Sequence, residues 1–192
     1  MPRLTLDEIK TLLTATNDTP RKSFSIEGYS RAAVLVPLIL TGNSFDLLFT
    51  KRTESVETHK GQISFPGGMV DAADRDVFHT ALREAHEEIG LTDSCIEIVG
   101  ILDDMATPTG FVITPIVGVI QELPELAPNN EEVAEVFRVG LDFFSQPSSG
   151  RTELREFHGR KHEVWYYDWQ DKVIWGATAM MIRSLLKKLK LA

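Results

Sequence analysis

The sequence contains a single cysteine, Cys95, among its 192 residues. Neither an intramolecular disulfide nor a cysteine-based metal cluster can therefore form. A long apolar run is also missing, because the longest one, residues 32–40, is interrupted by Pro37 and is too short to span a bilayer. The first residues carry acidic side chains among their leucines, unlike a secretory signal. We therefore expect a soluble, cytoplasmic protein without a membrane partner.

The sequence is also poor in positively charged residues. The chain has 20 Lys and Arg against 28 Asp and Glu, a formal net charge of −8. This balance opposes the phosphate neutralisation on which sequence-independent nucleic-acid binding depends, so we expect no nucleic-acid partner. An acidic protein can still bind an anionic substrate if it gathers divalent cations, which then supply the local positive charge.

The N-terminal residues predict a short helix and a loop. A capping box at Thr5 and Glu8, followed by apolar residues at Ile9 and Leu13, predicts a helix over residues 4–13. Residues 17–30 mix proline, serine, glycine and charge without a period and predict a surface loop. We interpret residues 1–30 as an extension that precedes the main domain, residues 31–192.

Hydrophobic patterns in the main domain predict a single α/β domain built around a mixed sheet. Two segments have helical periodicity, and the other apolar segments are rich in β-branched residues and are bounded by turn residues. The predicted helices are 76–89 and 177–190, and the predicted strands are 31–40, 46–52, 97–102, 111–120, 133–139 and 163–168.

Three glutamates in the first of these helices suggest a metal site. Glu84, Glu87 and Glu88 have i,i+3 and i,i+4 spacings, which make their carboxylates neighbours that repel unless a cation lies among them. A glutamate cluster is commonly only a solvated helix face. Here the glycine pair Gly67–Gly68 lies just upstream and permits close approach of a ligand to main-chain oxygens. Oxygen ligands of this kind favour Mg²⁺ or Mn²⁺ and phosphoryl chemistry.

Gly68 and the segment REAHEEIGL at positions 83–91 resemble the Nudix box, GX5EX7REUXEEXGU, in which U is a bulky apolar residue. The resemblance implies a Nudix-type α/β/α sandwich and metal-dependent hydrolysis of a diphosphate linkage. It also implies that Glu84, Glu87, Glu88 and the Gly68 carbonyl bind Mg²⁺ or Mn²⁺, and that Arg83 orients a glutamate through an ion pair.

The first half of the box departs from the pattern. Counting back from Arg83, Arg75 occupies the position expected to be glutamate, and Asp74 precedes it. The loop therefore carries one extra residue, and the departure leaves the role of Asp74 open.

The upstream segments 48–52 and 61–68 resemble the motif of coenzyme A pyrophosphatases, LLTXR(S/A)X3RX3GX3FPGG. The resemblance implies coenzyme A or acyl-CoA as substrate, with adenosine 3′,5′-bisphosphate and (acyl-)4′-phosphopantetheine as products. Two positions differ, since Thr53 replaces Ser or Ala and Glu57 replaces the second arginine. We expect substrate contacts from the residues Arg52, His59, Lys60, Gly67 and Gly68.

We expect the base that activates water to lie outside the Nudix box. Glu131, Glu132 and Glu135 are candidates because related enzymes bring a later loop glutamate to the metals, and we select Glu132. An acidic turn that leads into a strand is the alternative interpretation of these residues.

Two rival functions stay open. The first is a Nudix hydrolase of another nucleoside diphosphate derivative such as ADP-ribose, which the charge reversal at Glu57 keeps in play. The second is a non-catalytic nucleotide-binding module, which the presence of all three box glutamates disfavours. The oligomeric state is undecided by the sequence, with a homodimer among the options.

Overall fold

The computed structural model describes residues 4–14, 21–54, 60–157 and 159–191. The helices are α1 (Leu6–Thr14), α2 (Val77–Ile89), the short α3 (Leu141–Phe144) and α4 (Ala177–Lys188). The strands are β1 (Ser30–Thr41), β2 (Ser44–Arg52), β3 (Ile63–Ser64), β4 (Gly67–Met69), β5 (Glu97–Ile101), β6 (Met105–Ala106), β7 (Phe111–Ile120), β8 (Val133–Gly140), β9 (Gly150–Phe157), β10 (Arg160–Trp169) and β11 (Lys172–Trp175).

The larger sheet is mixed, as predicted. Strand β1 runs parallel to β7, from Ser30 opposite Phe111 to Ile39 opposite Ile120, and antiparallel to β2 and β4. Strand β2 also pairs with β8. Pairing of β4 with the first half of β1 places Gly68 opposite Ala33, so the glycine pair lies inside the sheet, near its centre.

Alternate residues of β1 face opposite sides of this sheet, and both sides are covered, so the consecutive residues 32–39 are all buried. Val34, Val36 and Leu38 join a core cluster with α1 and α4. Ala33, Leu35 and Ile39 join a second cluster with Ala81, Ala85 and Ile89 of α2. The α/β/α sandwich around a mixed sheet is therefore confirmed, and α2 occupies one of its outer layers.

A second sheet, in the order β11-β10-β9, packs on the side of α4 through Tyr167 and Ile174. Strand β10 contains the predicted strand 163–168, but β9 and β11 were not predicted. The sequence of β9, GRTELREF, has few apolar residues, and most of its side chains are exposed. No apolar period therefore marked it as a strand.

The N-terminal helix and its capping box are confirmed. The Thr5 backbone N–H donates to Glu8 at 2.7 Å, and the Glu8 backbone N–H donates to the Thr5 hydroxyl at 3.3 Å. Of the predicted loop 17–30, residues 17–20 lie outside the described residues. Arg21 is fixed to the domain, because its Nε donates to the Leu102 carbonyl at 2.8 Å and its guanidinium pairs with buried Asp104. Among the described residues, no helix is long and apolar enough to cross a membrane.

Candidate active site

Helix α2 carries the three glutamates, and both of its ends are well defined. The Asp76 side chain caps the first turn by accepting from the His79 backbone N–H at 2.9 Å. Gly90 ends the helix in the left-handed conformation, with φ of 69°. The predicted helix over 76–89 is confirmed, although Phe78, one of its apolar residues, is 37% exposed.

Arg83 connects two of the glutamates through its guanidinium. Nη1 donates to Glu84 Oε1 at 2.8 Å and to Glu87 Oε2 at 3.0 Å. Nε and Nη2 donate to the two oxygens of Asp74, each at 3.0 Å. This bidentate interaction with one carboxylate fixes the plane of the guanidinium. The pKa of Arg83 is raised well above its usual range, chiefly by the Asp74 hydrogen bonds.

Asp74 is a buried anchor for this arginine, since its side chain is only 1% exposed. It also accepts from the Thr80 hydroxyl at 2.8 Å and from the Asp71 backbone N–H at 2.9 Å, and it lies 2.8 Å from His79 Nδ1. The Arg83 hydrogen bonds are the main reason that the pKa of Asp74 is far below its ordinary value. Asp74, whose role the sequence left open, therefore holds the Arg83 guanidinium in place.

Gly68 leaves room for the Glu84 carboxylate. A Cβ atom at Gly68 would lie 2.4 Å from Glu84 Cδ and 2.5 Å from both carboxylate oxygens. A Cβ atom at Gly67 would lie 2.6 Å from Val34 Cα, on the neighbouring strand β1. Both glycines are therefore required by close packing, one against the helix glutamate and the other against the sheet.

Glu88 is the most deeply buried of the three glutamates, at 4% exposure. Its Oε1 lies 3.7 Å from Arg52 Nη1, and its buried Oε2 has no hydrogen-bond partner among the described residues. Burial is the main cause that raises the pKa of Glu88 to about 8. The charge of Arg52 opposes this shift, whereas the negative charges of Glu84 and Glu132 add to it.

Glu132, the selected candidate base, lies beside the site. Its Oε2 lies 3.9 Å from Arg52 Nη2, and its charge contributes to raising the pKa of both Glu84 and Glu88. The carboxylate of Glu135 instead pairs with Lys172 at 3.1 Å. Arg52 therefore lies between Glu88 and Glu132, at distances longer than a hydrogen bond.

The turn that carries Glu132 is held by main-chain bonds at both of its sides. The N–H groups of Ala127 and Asn129 donate to the carbonyls of Ile89 and Glu88, at 3.0 and 2.9 Å. We call residues 127–132, which cover the C-terminal end of α2 in this way, the capping turn. The sequence indicates a turn at Asn129. It does not indicate that this turn contacts the end of α2, because the contact joins residues that are far apart in the sequence.

The other side of the capping turn is fixed to strand β2. The Thr53 backbone N–H donates to the Glu132 carbonyl at 2.9 Å, and the Thr53 hydroxyl donates to the Glu131 carbonyl at 2.9 Å. Thr53 is one of the two positions that depart from the upstream motif. In this chain its hydroxyl therefore helps to hold the turn that carries Glu132.

Two of the predicted substrate contacts, His59 and Lys60, stay predictions. His59 lies outside the described residues, as does Glu57. Lys60 is exposed, and within the described parts of the chain it makes no hydrogen bond or ion pair. The structure therefore brings Arg52, Gly67 and Gly68 to the site and leaves Lys60 on the surface.

The donor chemistry of this site fits a hard divalent cation. Within the described residues, no three His, Cys, Asp or Glu side chains already converge as a metal-binding set, because Glu84, Glu87 and Glu88 are turned toward arginines. Three carboxylates and the Gly68 carbonyl are nevertheless the ligands that Mg²⁺ and Mn²⁺ prefer. The buried Oε2 of Glu88, which no described residue hydrogen-bonds, is the observation that favours a cation here, because such an oxygen is costly to leave unpaired.

A family model described as the NUDIX domain matches residues 29–166 of this chain. The chain belongs to the Nudix family. This Nudix hydrolase is 38% identical over 173 residues to a Nudix hydrolase NudL of Enterobacter sp. (strain 638), described as uncharacterized, and the match covers 86% of each chain. It is 37% identical over 156 residues to a NudL of Pectobacterium atrosepticum with the same description, covering 81% of this chain and 80% of the relative.

Solved structures agree with the fold of this Nudix hydrolase. A MutT/nudix family protein from Enterococcus faecalis superposes with a TM-score of 0.53 at 16% identity, covering 97% of this chain and 80% of that one. At this identity the likeness concerns the fold alone. Family membership makes the protein a diphosphohydrolase that acts on a nucleoside diphosphate derivative.

Proposed function

We propose that this Nudix hydrolase cleaves the diphosphate linkage of coenzyme A or an acyl-CoA in the presence of Mg²⁺ or Mn²⁺. The products would be adenosine 3′,5′-bisphosphate and 4′-phosphopantetheine or its acylated form. The metal dependence rests on the buried carboxylate of Glu88, which lies beside two further glutamates and has one oxygen that no residue in the described part of the chain hydrogen-bonds. The motif that ends in Gly67 and Gly68 is what favours coenzyme A.

In this proposal Glu84, Glu87, Glu88 and the Gly68 carbonyl hold the cation. A bound divalent cation supplies positive charge against the diphosphate and acidifies the attacking water. Arg83, now hydrogen-bonded to Glu84 and Glu87, keeps both carboxylates oriented, and Asp74 holds Arg83 in turn.

Glu132 acts as the base in this proposal. Its position across Arg52 from Glu88 allows it to accept a proton from water close to the helix glutamates. Arg52 balances the negative charge of these two carboxylates and presents a cation to the substrate phosphates. His59 and Lys60 remain proposed substrate contacts near the 52–61 segment.

The identity of the substrate can be tested by product analysis. Purified protein is incubated with coenzyme A, with Mg²⁺ or Mn²⁺ or with a chelator, and the products are separated by chromatography. We expect adenosine 3′,5′-bisphosphate only when metal is present. The same assay with ADP-ribose tests the alternative that Glu57 keeps open, since Glu57 reverses the charge of the second arginine of the coenzyme A motif.

Variants connect this activity to the site. Glu87→Gln and Glu88→Gln should each remove most turnover while the circular dichroism spectrum stays native. Glu135→Gln is the matched control, because it makes the same chemical change at a glutamate that pairs with Lys172 away from the site. Turnover at the wild-type rate in both site variants would refute the metal site. Cleavage of ADP-ribose with coenzyme A left intact would refute the substrate alone.

A further inference from the structure

Strand β9 has one edge that no other strand covers. It pairs with β10 along its whole length, from Gly150 opposite Tyr167 to Phe157 opposite Arg160. In the part of the chain that the structure describes, β9 has no second strand partner. An uncovered edge presents N–H and C=O groups that can pair with another strand, and eight residues provide roughly 26 Å of such edge.

The centre of this edge is apolar and exposed. Leu154 is 73% exposed, the highest value among the exposed large hydrophobic side chains of the described residues. Its cross-strand neighbour on β10 is Glu163, which cannot cover it with apolar surface. A single exposed leucine is ordinary on a protein surface. At the middle of an unpaired strand, however, it lies where a second strand would bury it.

The charges on the two sides of Leu154 are opposite in sign, so they are complementary across a two-fold axis at Leu154. Arg151, Glu153 and Arg155 alternate in sign along one face of β9, and each side chain is 40% or more exposed. If two copies of β9 pair antiparallel about a two-fold axis at Leu154, Glu153 of each copy lies opposite Arg155 of the other. Axes at Glu153 or Arg155 would instead place a like charge opposite itself, which is destabilising.

We propose that β9 is a self-association surface, through which two copies of this chain join their three-stranded sheets into one six-stranded antiparallel sheet centred on Leu154. The occupant is a second copy because the strand is complementary to its own sequence: Leu154 meets Leu154, and two Glu153–Arg155 pairs flank it. An isologous contact of this kind closes after two copies and does not extend into a fibre.

The ion pairs that Glu153 now makes within one copy can be replaced by ion pairs between two copies. Glu153 now pairs with Arg151, and with Arg155 at 3.2 Å, within one copy. All three side chains are 40% or more exposed, so these pairs are worth little and can be exchanged for pairs across the axis. Main-chain bonds between the two strands supply the remaining attraction, as in other cases of strand addition.

The interface is small, so the dimer should be reversible. A two-strand contact lies at the low end of the interface size range, and we expect a dissociation constant between about 1 µM and about 1 mM. Sedimentation velocity over this concentration range measures it directly. The proposal does not depend on the substrate or the metal, so it can be tested without an activity assay.

The oligomeric state of charge-reversal variants of β9 tests the proposed pairing. Glu153→Arg and Arg155→Glu should each convert the wild-type dimer to monomer, and the double variant should restore the dimer. Leu154→Asp should abolish it without affecting folding, because this side chain is exposed. Glu122→Arg is the control, since it reverses an exposed charge outside β9 and should leave the dimer intact.

Three outcomes would overturn the proposal. These are a wild type that is monomeric throughout the range, a dimer that survives both single reversals, and a double variant that stays monomeric. Circular dichroism and the melting temperature of each variant establish that any monomer is folded.

Discussion

Replacing Gly68 with alanine should reduce catalysis far more than stability. The added Cβ would lie 2.4 Å from Glu84 Cδ, whereas ordinary contact begins at 3.4 Å, so the carboxylate must move by about 1.0 Å. A displacement of this size at a catalytic group can cost on the order of 100-fold in rate, equivalent to about 2.7 kcal/mol of transition-state stabilisation. The movement would also stretch the 2.8 Å bond from Arg83 to Glu84.

The fold should tolerate this substitution. The atoms that the new methyl group meets belong to the far end of a flexible side chain, and Gly68 has no left-handed φ that alanine would strain. Gly140→Ala is the matched control, because its Cβ would meet only Asp46 Oδ1 at an ordinary 3.7 Å. Steady-state kinetics with saturating metal and thermal melting should be measured for both variants. Wild-type kcat/KM in Gly68→Ala would refute the placement of Glu84 at the reaction centre.

Three further variants test neighbouring parts of the site. Asp74→Asn should lower kcat about 10- to 100-fold with little change in KM, because it weakens the hold on Arg83 without touching the substrate; a selective rise in KM would contradict this. In metal-free protein, the Glu88 pKa of about 8 against an ordinary 4.5 means that the folded state holds an extra proton between these pH values. Unfolding free energy should therefore fall as pH rises through this window, by at most about 5 kcal/mol, and the slope should vanish in Glu88→Gln. Thr53→Val should reduce kcat a few-fold by releasing one bond to the turn that carries Glu132, and Thr53→Ser, which retains the hydroxyl, should not.

Local patterns predicted the elements that build the site. The helix over 76–89 was apparent because its apolar residues repeat with helical spacing, and its observed end at Gly90 follows from glycine's access to the left-handed conformation. The strand 31–40 was apparent from its β-branched and leucine-rich composition. By contrast, β9 owes its place to pairing with β10, and its alternating charges carry no apolar signal.

The three glutamates of α2 and the residues that contact them differ in the same way. Glu84, Glu87 and Glu88 lie within five residues of one helix, so their proximity follows from helical geometry alone. Asp74 reaches Arg83 through a loop whose length departs from the family pattern, and only the folded loop reveals that contact. The distance from Thr53 to the capping turn depends on how β2 and β8 pair across the sheet, which no local pattern encodes.

Main-chain bonds, which do not depend on side-chain identity, join the capping turn to the end of α2. Ala127 and Asn129 use their N–H groups to reach the carbonyls of α2, so most substitutions in this turn would leave its position unchanged. On the helix side of this contact the identity of Gly90 does matter, because a Cβ there would approach the Ala127 Cβ to 2.9 Å in a backbone conformation that already disfavours side chains. The turn can therefore accumulate sequence changes, including changes that alter what it presents to a substrate, while Gly90 is retained and the distance from Glu132 to the helix glutamates is kept.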